Sequence, residues 1–162
     1  MSTDWERRLA ELWASLDDLD EDDFVARMEQ LVAERPEDDP VGLFERAAAR
    51  DSTGHSDLAV PLYRRALAVG LEGERRRRAV IQLASSLRNV GHADESVALL
   101  TAERDRGSDH LDDAVSAFLA LALVDTGRER EAVSVALTAL APHLPRYQRS
   151  LGSYARALTE KS

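Results

Sequence analysis

The feature that most constrains this chain is a glycine that returns three times at nearly equal spacing. Gly54, Gly91 and Gly127 lie 37 and 36 residues apart. An alanine stands seven positions before each glycine, a small residue five positions after it and a valine six positions after it. These equivalent residues are Ala47, Ala84 and Ala120; Ala59, Ser96 and Ala132; and Val60, Val97 and Val133. The pattern predicts a unit of two helices that is repeated along the chain.

The physical reason lies in how two short helices pack as an antiparallel hairpin. They need small side chains where their axes approach most closely. They also favour glycine after the first helix, because the residue past a helix end often takes a left-handed conformation. One hairpin cannot bury its apolar face alone, so hairpins stack on one another. With no strand signal in the sequence, we expect an all-α stack of antiparallel helix hairpins, or solenoid, with about nine helices.

The clearest part of the pattern is a run that begins at the first turn glycine: Gly54, Ala59, Val60, Tyr63, Ala66 and Leu67. This run resembles the tetratricopeptide repeat family in a short, degenerate bacterial form, and the resemblance covers about residues 40–144. The sequence departs from the family in its period, which is usually about 34 residues. The aromatic residue of the first helix is replaced by Leu43, Val80 and Ser116, and Glu103 stands where a small residue is expected.

We expect one domain over residues 1–162. Its predicted parts are an N-terminal helical hairpin or cap at residues 1–36, repeats at residues 40–71, 77–107 and 109–144, and a C-terminal capping helix at residues 147–160. The first pair of helices is either a fourth, highly divergent repeat or a capping hairpin. Trp5 and Trp13 fall on the apolar stripe of its first helix, which favours core packing over ligand stacking. Asp39 is the predicted N-cap of the third helix, with Pro40 in its first turn.

Composition excludes several classes of protein. The chain has no cysteine, which excludes disulfides, thiolate metal sites and cysteine nucleophiles. Its polar, acidic N-terminus is not a secretory signal, and its longest apolar run, residues 114–124, is too short to span a bilayer. We therefore expect a cytoplasmic protein without a membrane partner. Twenty arginines against one lysine indicate a GC-rich bacterial genome of the actinobacterial type.

The net charge of −9 is unevenly distributed along the chain. Residues 1–45 carry fifteen acidic residues and four arginines, whereas residues 46–162 carry fifteen acidic and seventeen basic residues. This distribution argues against nucleic-acid binding, which requires a basic face. Four arginines, residues 75–78, open the fifth helix and oppose its dipole. We expect them to pair with the acidic first quarter, within the chain or across a dimer, to meet an acidic or phosphate-bearing partner, or to be solvated.

The acidic connection at residues 17–23 allows two interpretations. Asp18, Asp20, Asp22 and Glu29 match the ligand spacing of a calcium loop, but the glycine of such a loop is replaced by Asp23. The favoured interpretation is a connection that caps the second helix and stabilises its positive end. No metal site is therefore predicted.

No motif indicates catalysis. There is no Gly-rich phosphate loop and no His-Glu-x-x-His motif, and His110 and His143 are isolated in the sequence. We expect a non-enzyme without a cofactor. The seventh helix contains the apolar run and is expected to be covered nearly all round.

The resemblance implies protein or peptide binding on a concave face that the first helix of each repeat lines. It selects Phe44, Glu45, Arg78, Ile81, Gln82, Ser85, Arg88, Asn89, Phe118, Leu121 and Asp125. Phe118 and Leu121 are either an exposed binding patch or core that neighbouring helices cover. The predicted function is a peptide-binding adaptor. The alternative is a homodimerising assembly module with the apolar face of the third repeat as its seam.

Overall fold

A computed structural model describes residues 3–160, which form nine α-helices and two short 3-10 turns and contain no strand. The predicted all-α class is confirmed. The α-helices are α1 Asp4–Ala14, α2 Glu21–Val32, α3 Pro40–Ser52, α4 Ser56–Ala68, α5 Gly73–Asn89, α6 Ala93–Arg106, α7 Asp112–Asp125, α8 Glu129–Leu140 and α9 Gln148–Glu160. The 3-10 turns are Leu16–Asp18 and Ala141–His143.

The chain divides into two compact units, Met1–Gln82 and Leu83–Ser162. The boundary falls inside α5. The first unit contains α1 to α4 and the beginning of α5, and the second contains the end of α5 and α6 to α9.

The core of α1 and α2 is built on the two tryptophans. Trp5 is buried with Phe24 and Met28, and its indole Nε1 donates to the backbone oxygen of Leu31 at 3.0 Å. The ring of Trp13 lies 5.2 Å from that of Phe24, centroid to centroid. Ala49 of α3 belongs to the same core. Core packing of the tryptophans is thus confirmed, and it attaches the N-terminal hairpin to α3.

The turn glycines have the predicted conformation. Gly54, Gly91 and Gly127 have φ angles of 80°, 90° and 75°, a region that residues with a Cβ rarely adopt. Each turn repeats the same pair of backbone hydrogen bonds. At the second turn, for example, the Gly91 N–H donates to Arg88 O at 3.1 Å and the His92 N–H to Leu87 O at 2.8 Å. These bonds close the helix end in the manner of a Schellman motif.

The small residues of the pattern lie where the hairpin geometry requires them. All residues at the alanine position and at the first small position after the glycine are buried: Ala47, Ala84, Ala120, Ala59, Ser96 and Ala132. In the first unit, α3 and α4 close around Phe44 and Tyr63, whose ring centroids are 6.2 Å apart. Burial raises the pKa of Tyr63 above its ordinary range.

The core of the second unit is formed mainly by α7. Its buried side chains include Val115, Leu119 and Leu123. α9 packs on α8, and the Ser134 hydroxyl donates to Ala155 O at 2.7 Å.

Candidate protein-binding surface

Three residues of the predicted binding set are buried in the first unit. Phe44 and Ile81 are core residues, and Glu45 is only 2% exposed. The expectation that they line an open surface is therefore corrected, because side chains without exposed area cannot contact a partner in this conformation. Arg78 and Gln82 are half-buried. The guanidinium of Arg78 lies 5.3 Å from the centroid of the Phe44 ring, so Arg78 itself covers Phe44 by a cation–π contact.

Glu45 is buried because it serves as an internal acceptor for two other helices. Its Oε2 accepts the indole N–H of Trp13 at 2.9 Å, and its Oε1 accepts the Nε–H of Arg75 at 3.0 Å. The terminal nitrogens of Arg75 also contact Glu6, at 2.7 and 3.1 Å. Since Trp13 and Glu6 lie on α1, one carboxylate and one guanidinium connect α1, α3 and α5. A buried charge requires partners of this kind.

Two of the four arginines that open α5 contact identified groups within the first unit. Arg75 pairs with Glu6, which confirms pairing with the acidic first quarter of the same chain for this residue. Arg78 covers Phe44. Arg77 is buried and Arg76 is half-buried, so none of the four is a fully solvated cation. For Arg75 and Arg78, local contacts thus offset the cost of placing a cation at a helix N-terminus.

In the second unit, the structure brings together two residues of the predicted set. Arg88 Nε lies 2.6 Å from Asp125 Oδ2, which connects the end of α5 to the end of α7. Ser85 lies one helical turn before both Arg88 and Asn89, at the i+3 and i+4 spacings of neighbouring side chains on α5. Ser85 is half-buried and Asn89 is exposed. The predicted residues at the end of α5 therefore form one polar cluster.

An apolar strip continues from this cluster along α7. Leu121 lies one turn before Asp125 and is 45% exposed, and Phe118, a further turn back, is half-buried. Val124 and Ala117, which flank them, are also exposed. The expectation that α7 is covered nearly all round is wrong, because one side of it remains open. Val124 was missed as a surface residue, because a helix that is apolar on every side has no periodicity to show which side is exposed.

We call the second-unit part of the predicted set the α7 surface. It consists of Ser85, Arg88, Asn89, Phe118, Leu121 and Asp125. It combines an apolar strip with hydroxyl, amide and guanidinium groups, which can hydrogen-bond a peptide backbone or a carboxylate.

The acidic connection caps α2, as the favoured interpretation predicts. The Asp20 side chain accepts the backbone N–H of Asp22 at 3.0 Å and is the N-cap of the helix. Within residues 3–160, no group of three or more histidine, aspartate or glutamate side chains has the geometry to hold a metal ion. His143, predicted to be isolated, lies 2.7 Å from Asp113 Oδ2, and both side chains are exposed.

Helix pairs with the same small residues at their contacts and the same cap at each turn define a helical repeat protein. Comparison with known families agrees with this class. The family model described as tetratrico peptide repeat matches residues 40–158, so the chain belongs to the tetratricopeptide repeat family. The match extends beyond the predicted residues 40–144 into α9. Members of this family are typically non-catalytic scaffolds in protein–protein interaction.

No match to the chain was found among curated proteins or among solved structures. Within residues 3–160, none of the helices combines the length and the apolarity that crossing a bilayer requires.

Proposed function

We propose that this protein is a non-catalytic adaptor that binds a protein or peptide segment at the α7 surface. The observation that carries the proposal is the exposed side of α7, where Leu121 and Val124 face solvent beside the Arg88–Asp125 pair. Exposed apolar patches rimmed by polar groups mark interaction sites. The residues predicted from the family resemblance and the exposed strip coincide here, in the second unit.

The side chains of the α7 surface have different proposed roles, which follow from their chemistry. The half-buried ring of Phe118 and the side chain of Leu121 supply apolar contact area. Arg88 forms an ion pair with Asp125, and an arginine side chain has further donors for peptide carbonyl or carboxylate oxygens. In this proposal the ion pair holds the guanidinium beside the apolar strip, where a ligand can reach it. Arg78 and Gln82, which belong to the first unit, remain predicted contacts.

A peptide selection on the wild type, followed by binding measurements on substituted variants, tests the proposal. Peptides are selected from a display library on the immobilised protein and then measured against Leu121→Glu and Leu58→Glu. Leu58 on α4 is the matched control, because it is also 45% exposed. We expect the selected peptides to bind the wild type and Leu58→Glu, and to lose binding to Leu121→Glu and to Arg88→Glu, with circular dichroism unchanged. Equal binding to all of these variants would reject the α7 surface as the site.

The second candidate function is homodimerisation through the same apolar strip. The exposure of Leu121 and Val124 favours it, because a seam between two copies would cover both. Light scattering over a wide concentration range distinguishes the two functions. A dimer that becomes monomeric in Leu121→Glu but not in Leu58→Glu supports assembly, whereas a monomer in all three supports the adaptor.

A further inference from the structure

A second exposed surface lies on α9, away from the residues that the family resemblance selects. Tyr147 is 75% exposed and Tyr154 is 71% exposed, which makes them the most exposed large apolar side chains of the described residues. They are seven residues apart, or two helical turns, which corresponds to about 10 Å along the helix. With Arg149 and Ser153 they line a groove of about 450 Å³.

The backbone at Tyr147 is an independent sign that this surface has a role. Within the described residues, Tyr147 is the one non-glycine residue with a positive φ, 70°. Its carbonyl accepts the N–H of Leu151 at 2.9 Å, so it occupies the N-cap position of α9. A tyrosine side chain is not a capping group, and the left-handed region is unfavourable for a bulky residue. Neither the cap nor the core explains why a tyrosine is held here.

Two exposed arginines lie next to the rings in the sequence. Arg146 and Arg149 have no ion pair with another described residue. In the same unit, Arg128 by contrast pairs with Glu131 at 2.7 Å. Exposed tyrosines among unpaired arginines have the composition of interface hot spots.

We propose that the α9 surface, consisting of Arg146, Tyr147, Arg149, Ser153 and Tyr154, docks an acidic segment of a partner protein. The tyrosine rings supply contact area, and the guanidinium groups pair with carboxylates of the segment. A short acidic segment fits better than a nucleic acid or an anionic membrane, because it meets mainly the nearby arginines, whereas an extended polyanion also meets the rest of a chain whose net charge is −9.

Fluorescence anisotropy tests this docking directly. The probe is a short fluorescein-labelled peptide rich in glutamate and leucine, and the same peptide with lysine in place of glutamate is the control. We expect the acidic peptide alone to bind, with an affinity that falls as salt rises. Tyr154→Ala and Arg149→Glu should each weaken binding about tenfold or more. Arg106→Glu makes the same change at an exposed arginine of α6 and should leave binding within about twofold.

Tyr147→Gly gives the sharpest test, because stability and binding should respond differently. Glycine adopts a positive φ readily, so the thermal unfolding midpoint should be unchanged or higher while binding is lost. Leu121→Glu should leave this binding intact, which separates the result from the α7 surface. The proposal is overturned if Tyr147→Gly and Tyr154→Ala bind as wild type, or if Tyr147→Gly is destabilised. It is likewise overturned if the variants abolish binding to anionic vesicles or self-association instead of peptide binding.

Discussion

Replacing Arg75 by methionine is expected to destabilise the first unit by about 3–4 kcal/mol. The apolar stem of methionine occupies the space of the arginine stem, so packing changes little. The loss is electrostatic: the Glu45 carboxylate, 2% exposed, keeps its bond to Trp13 but has no cation. Removing one partner of a buried pair costs about 3–5 kcal/mol. We place this site near the lower end, since Arg75 itself is half-exposed to water. The half-exposed pair with Glu6 adds no more than about 1 kcal/mol.

A second substitution shows whether the buried charge causes the loss. Glu45→Gln removes the charge, and its amide oxygen can still accept the Trp13 N–H. The double variant Arg75→Met/Glu45→Gln should therefore be more stable than Arg75→Met alone, by about 2 kcal/mol. The measurement is urea unfolding followed by circular dichroism, with the indole N–H signal of Trp13 as a local probe. Arg7→Met is the matched control, because Arg7 is an exposed arginine of α1 paired with Asp4 and Glu11. Its effect should be close to zero.

Two results would refute this reasoning. One is a loss below about 1 kcal/mol in Arg75→Met, which would mean that water or a rearranged side chain solvates Glu45. The other is a double variant no more stable than Arg75→Met, which would mean that the arginine contributes through packing instead of charge.

Three further predictions concern a charge, a turn and the core. The Arg35 guanidinium, 2.6 Å from Asp39, lowers the pKa of that carboxyl group. A lowered pKa stabilises the fold above the ordinary aspartate range, and this stabilisation is lost as the pH falls through the lowered value. Asp39→Asn keeps the N-cap but should cost about 1 kcal/mol at neutral pH and show a smaller loss of stability on acidification. Gly91→Ala, at φ 90°, should cost about 1–2 kcal/mol in urea unfolding. Leu119→Ala, in the core of the second unit, should cost about 2–4 kcal/mol by the same measurement.

Each of these predictions has a control within the chain. For Asp39→Asn the wild type is the reference, and parallel stability curves of the two proteins between about pH 2 and 7 would contradict the role of the charge. Gly107→Ala is the control for Gly91→Ala, because Gly107 is extended at φ 174° and both sites have open space for a Cβ. Leu121→Ala on the exposed side of α7 is the control for Leu119→Ala. Equal losses within either pair would count against the physical reason given.

The turns could be predicted from the sequence because a local backbone requirement determines the residue. A left-handed position favours glycine whatever the rest of the chain does, so Gly54, Gly91 and Gly127 showed the helix pairs without any tertiary information. The burial of Phe44 and Glu45 could not be predicted in this way. It depends on partners that lie on other helices, such as Trp13 on α1 and Arg78 on α5.

The two candidate surfaces, on α7 and on α9, also differ in how far the sequence could predict them. On α7 the residue types were visible, but their uniform apolarity hid which side is open, so only the family resemblance pointed to Leu121. On α9 the sequence showed Tyr154 as an ordinary helical residue and gave no sign that Tyr147 adopts a positive φ. An unfavourable backbone conformation is imposed by the surrounding structure, and local propensity does not report it.

The buried carboxylate of Glu45 affects whether α1 can pack on α3 in one alignment or in several. This effect is separate from how much the carboxylate stabilises the fold. Apolar side chains such as those of α1 can pack against α3 in several registers, because dispersion contacts have little directional preference. A carboxylate whose two oxygens accept one indole N–H and one guanidinium N–H is satisfied in a single arrangement. Leucine in its place would preserve the helices and would remove the group that distinguishes one alignment of the N-terminal hairpin from its neighbours. We therefore expect the two directional hydrogen bonds of Glu45, together with the Glu6–Arg75 pair, to favour a single alignment of α1 with the repeats.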